Sequence, residues 1–71
     1  MHYEIIKQED IKVGDILTTH KDEIHRKVER IFRTFIVRTV RHDYDESAVG
    51  KAFRMPLGES DVRVRVLRED K

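Results

Sequence analysis

The clearest pattern in the chain is Val62-Arg63-Val64-Arg65-Val66, where apolar and charged residues alternate strictly. A period of two puts the three valines on one side of a β-strand and the two arginines on the other. Phe35-Ile36-Val37-Arg38-Thr39-Val40-Arg41-His42 is β-branched or aromatic at five of eight positions, which predicts a strand rather than a helix. Val13-Gly14-Asp15-Ile16-Leu17-Thr18-Thr19 predicts an earlier strand after a polar Gln8-Glu9-Asp10 turn, with Gly14 free to bend or bulge. Residues 51 to 55 read as a hairpin partner of 35–42 across a loop at 43–50, and Pro56 limits that pairing. Gly58-Glu59-Ser60-Asp61 is turn chemistry leading into the last strand.

Residues 22 to 32 are ambiguous. Ile24, Val28 and Ile31 have the spacing of an amphipathic helix capped by Asp22. A strand over 27–32 would instead close a local hairpin through a two-residue Arg33-Thr34 turn, and the balance favours the strand. Residues 3 to 7 form either an edge strand or a helical turn. The expected fold is therefore all-β, or mainly β with one short helix. Five short strands in so short a chain predict a small closed or half-open barrel, which removes exposed sheet edges.

With 71 residues the chain is one domain, residues 1–71, with a thin core and little room for a deep pocket. It has no cysteine to form a disulfide or a thiolate zinc site. No apolar run reaches the roughly 20 residues of a membrane span, and the first residues lack a signal-peptide pattern. No membrane partner is expected, and the cytoplasm is the default location.

Glu9-Asp10-Ile11-Lys12-Val13-Gly14-Asp15-Ile16-Leu17 resembles the opening of many small SH3-like barrels, where an acidic turn leads into a Val-Gly-Asp first strand. A similar Val-Gly-Asp start occurs in the PUA-like barrels of the ASCH kind, a domain usually longer than this chain. The resemblance implies a five-stranded SH3-like barrel, in a class whose members bind RNA, DNA, peptides or protein surfaces. Fold alone does not choose among these.

The net charge of +1 argues against coating nucleic acid through bulk charge. Charge is nevertheless segregated. Residues 1–24 are acidic, whereas 25–42 carry Arg26, Lys27, Arg30, Arg33, Arg38 and Arg41 against Glu29 alone. Planar guanidinium groups suit phosphate and carboxylate recognition. Arg30, Arg33, Arg38, Arg41, Arg63 and Arg65 are the candidate binding residues, on the expectation that the last strand lies near the middle hairpin and completes one basic face. Among the rings, Phe32, Phe35 and Phe53 are assigned to the core and Tyr44, set among acids, to the surface, where it joins the candidate site.

Metal chemistry finds weak support. His20 and His25 are five apart, which suits neither a helix face nor a strand face. His42, Asp43, Asp45 and Glu46 lack the spaced ligands of a calcium loop. No phosphate-binding glycine loop or nucleophile pattern occurs, so the expectation is a non-enzyme without catalytic residues, metal or cofactor. The leading function is a binding module that contacts nucleic acid, or a nucleic-acid-handling complex, through the arginine-rich face. The alternative is a protein-binding regulator or inhibitor, for example a small phage or mobile-element protein that matches a host enzyme by charge.

Overall fold

The structure is a computed structural model that describes residues 1–56 and 63–68. Its strands are β1 (His2–Lys7), β2 (Ile16–Thr18), β3 (Ile24–Ile31), β4 (Phe35–His42), β5 (Ala52–Met55) and β6 (Arg63–Arg68). Two 3₁₀ turns, Gln8–Asp10 and Glu46–Ala48, complete the regular elements, and no α-helix occurs among the described residues. The mainly β expectation holds.

Several finer expectations change. Six strands form where five were expected, because residues 2–7 pair along their whole length with β6. The ambiguous stretch is strand throughout 24–31. Its side chains alternate between the two faces, and cross-strand pairing outweighs the helical spacing of Ile24, Val28 and Ile31. The hairpin loop is Phe32-Arg33-Thr34 rather than two residues, since Ile31 pairs with Phe35 and Phe32 N–H donates to the Thr34 carbonyl at 3.1 Å. The last strand runs on to Arg68; Val62 and the Gly58-Glu59-Ser60-Asp61 turn lie outside the described residues.

The strands form one antiparallel sheet in the order β1-β6-β2-β3-β4-β5. The sheet does not close into a five-stranded barrel. β6 fills the place beside β2, β1 adds outside it, and β1 and β5 remain as edges. β5 is only four residues long and stops before Pro56, which has no N–H to extend a ladder. The sheet still curls: Ile6 and Val64 at one end and Met55 at the other pack against the same cluster of Ile11, Leu17, Val28, Phe35, Val37 and Val66. Register shifts in the β3–β4 pairing leave Glu29 and Val40 unopposed, and such bulges increase local twist. Burying a side chain such as Val28 or Val66 contributes about 1.5–3 kcal/mol each.

The Val-Gly-Asp segment shortens the predicted 13–19 strand to three residues and fastens its start. Gly14 has φ of 96°, a conformation that glycine adopts without a Cβ penalty. There its N–H donates to the Val28 carbonyl at 2.9 Å, and Val28 N–H donates to the Asp15 carbonyl at 2.9 Å. The buried Asp15 carboxylate accepts from Lys12 N–H at 2.9 Å and receives both the Nε and an Nη of Arg68, at 3.0 and 2.8 Å. Arg68 also donates to Glu4 at 3.0 Å, so β1, β2 and β6 meet at one ion-paired clamp.

Candidate functional site

Directly paired residues share a face of a sheet. Leu17 pairs with Arg26 on one side and Val66 on the other, and these belong to the core side. The opposite face carries two rows across β3, β4 and β5: Lys27 with Arg38 and Ala52, and Arg30 with Ile36 and Arg54. At about 4.8 Å per strand, the backbones bearing Arg30 and Arg54 stand about 10 Å apart with Ile36 between them.

The β3–β4 loop extends this surface with Arg33 and with Phe32, whose ring is 86% exposed. The assignment of Phe32 to the core therefore fails, because a side chain at the tip of a three-residue loop has no sheet face to turn inward. Phe35 is core at 2% exposure, whereas the assignment of Phe53 to the core also fails: on the short edge strand β5 its ring is 42% exposed and is covered by the Arg26 guanidinium. Glu29 is the one acid in β3, β4 and β5, and Arg38 holds it at 2.9 Å while also donating to the Gly50 carbonyl. Lys27, Arg30, Arg33 and Arg54 are exposed and make no side-chain ion pair among the described residues.

The other candidate residues lie elsewhere. β2 and β3 separate Arg63 and Arg65 on β6 from β4, so the last strand does not lie beside the middle hairpin. Arg63 is exposed; Arg65 lies over the Tyr3 ring, 4.1 Å from its centroid, and donates to the His20 carbonyl at 3.1 Å. Arg41 pairs with Asp43 at 2.9 Å, which raises its pKa. Tyr44 is exposed, but its hydroxyl donates to Glu23, an acceptor that pushes the phenol up. Arg41 and Tyr44 stand at the end of β4 away from Phe32, about 20 Å along the strand. Sequence reasoning had passed over Lys27, Arg54 and Phe32 as site residues. The alternation in Ala52-Phe53-Arg54-Met55 was a usable signal for Arg54, but only the register joins it to Arg30.

A second polar cluster occupies the β1–β6–β2–β3 half of the same face. Asp22, at φ of 61°, accepts from the Tyr3 hydroxyl at 2.5 Å and contacts His25 Nε2 at 2.7 Å. The Tyr3 hydrogen bond, followed by His25, holds the Asp22 carboxyl below the usual range, and Asp22 in turn pushes the Tyr3 phenol up. Asp22 N–H donates to the Thr19 carbonyl at 2.9 Å. This arrangement ties β1 to the β2–β3 turn.

In the loop after β4, His42 Nδ1 accepts from the Tyr44 and Asp45 amides at 3.2 and 3.1 Å. No group of three or more metal-ligating side chains converges among the described residues. None of the described helices is long and apolar enough to cross a membrane.

A cleft of about 410 Å³ is lined by residues of both faces, among them Leu17, Arg26, Met55 and Val64 of the core side and Thr18 and Arg65 of the outer face. Compared with known proteins, the chain matches no family model, no curated protein and no solved structure.

Proposed function

We propose that the chain is a non-enzymatic binding module of the SH3-like kind that holds a nucleic-acid backbone on the outer face of β3, β4 and β5. The observation that carries this reading is the cross-strand placement of Arg30 and Arg54 around Ile36, continued by Lys27 and Arg33 and opposed only by Glu29. Guanidinium forks bind phosphate oxygens, and each neutralised phosphate releases counterions. The exposed Phe32 ring beside Arg33 offers a stacking platform for an unpaired base, which favours single strands. The Val-Gly-Asp opening and the curl of the sheet support the SH3-like kinship, and the cytoplasm is the compartment this reading implies.

Titration of a fluorescent single-stranded oligonucleotide at 50 and 200 mM salt tests it. Replacing Arg30 and Arg54 together with Gln should lower the slope of log affinity against log salt by about 0.7 per lost contact. The fold should persist, since exposed substitutions cost about 0.5 kcal/mol or less. No binding by the wild type at low salt sinks the reading. The second reading, a protein-binding regulator or inhibitor, draws on Met1, Tyr3 and Ile5. Tyr3 and Ile5 are exposed on the edge strand β1 and Met1 directly before it, a place where a partner can add a strand.

A further inference from the structure

The cleft that brings Met55 of β5 together with β2, Arg26 of β3 and β6 differs in chemistry from the basic rows of β3, β4 and β5. Arg26 sits on the core side of β3 between Leu17 and Thr39, where the neighbouring positions are occupied by neutral side chains. Its guanidinium lies over the Phe53 ring, 5.1 Å from the centroid, and its Nε is buried with no hydrogen-bond partner among the described residues. A buried donor on a charged group is costly to leave unpaired, and most such groups in folded proteins find an acceptor. Arg63 and Arg65 also line the cleft and add positive charge, Arg65 from the Tyr3 ring and the His20 carbonyl that hold its guanidinium, and no Asp or Glu is among the described lining residues. The remaining wall is hydrocarbon from Ile5, Leu17, Met55 and Val64, with Thr18 and His20 beside it.

From this we infer that the cleft is a binding site for a small carboxylic acid with an apolar body. The volume of about 410 Å³ lies within the range of small-molecule sites. An apolar lining with a few convergent polar groups is the usual composition of such a site. A carboxylate matches the planar guanidinium fork of Arg26. The apolar body covers Leu17, Met55 and Val64. A phosphodiester strand has the charge but no hydrocarbon to fill this wall, so the site is distinct from the nucleic-acid face and does not rest on it.

The test is a backbone-amide NMR titration of the full chain with decanoate, with decanol as the uncharged control. Decanoate should bind saturably with shifts centred on Leu17, Arg26, Met55 and Val64, and decanol should bind at least tenfold more weakly. Arg26→Met keeps the apolar stem over Phe53 and should weaken decanoate at least tenfold while leaving decanol unchanged. The double variant Arg63→Ser with Arg65→Ser covers the case in which Arg26→Met does not fold, and it should weaken decanoate several-fold. Equal binding of acid and alcohol overturns the assignment, as do shifts centred outside the cleft. Undiminished decanoate binding by a folded Arg26→Met variant, or by the double Ser variant, overturns it equally.

Discussion

Asp15 shows how much one side chain contributes in a chain with so thin a core. Burial pushes its carboxyl up, but the two hydrogen bonds from Arg68 and the Lys12 amide outweigh that and hold it below the usual range. A carboxyl whose pKa is lower in the folded state binds its proton more readily when unfolded. Its contribution is therefore complete above the ordinary value of about 3.9 and is lost as pH falls through the lower folded value. Thermal stability should thus be flat from neutral pH to about 5 and fall below about 4. Asp15→Asn should remove about 1–3 kcal/mol at neutral pH by leaving Arg68 short of an anion. It should also flatten the acid-side decline, and thermal melts of both proteins from pH 3 to 7 would read both effects. An unchanged acid decline in Asp15→Asn would mean that another carboxylate carries it. The Val-Gly-Asp spelling was legible as a structural feature. Its partner was not, because Arg68 lies 53 residues away and nothing local marks it.

At the scale of elements, alternation located β6 and β-branched composition located β4, whereas residues 3–7 and 22–32 stayed open because their side-chain spacing serves two structures at once. Ile24, Val28 and Ile31 fit a helix, yet Val28 packs against Val37 through a register that only the complete hairpin creates. The same hairpin ends in Phe32, misread as core because a phenylalanine was weighed by type rather than by its place at a loop tip. Its exposure leads to a selective prediction. Phe32→Ala should weaken single-stranded oligonucleotide binding by about 1–3 kcal/mol, the usual worth of a stacked base. Duplex binding and the melting temperature should hardly change, because the ring is 86% exposed. Equal losses on single and double strands would assign Phe32 a structural part instead. Inside the sheet the contrast is sharp. Val66 is fully buried, so Val66→Asp should leave the chain unfolded by circular dichroism through an unpaired charge in the core.

Across the whole molecule, strand order decides which charges can act together, and order is the property least visible in a linear sequence. The basic run from 25 to 42 and the Arg63-Val64-Arg65 alternation were both plain, and joining them into one face assumed that β6 lies near β4. Instead β6 pairs with β1 and β2. Arg65 is occupied by Tyr3 and the His20 carbonyl, whereas Arg54, on a strand read only as a hairpin partner, completes the patch. The two arginine groups should therefore separate by experiment. Along the sheet, the centre of the basic patch on β4 lies three strands from β6, about 14 Å at the usual spacing. That distance exceeds one Debye length at physiological salt, about 8 Å. Replacing Arg63 and Arg65 with Ser should then change oligonucleotide affinity less than twofold at 150 mM salt and leave its salt slope intact. Arg30→Gln with Arg54→Gln should lower both, as each lost phosphate contact removes counterion release. Fluorescence anisotropy of both double variants across a salt series, each checked by circular dichroism, reads the difference. A larger loss from the β6 pair than from the β3 and β5 pair would move the nucleic-acid site to the other half of the sheet.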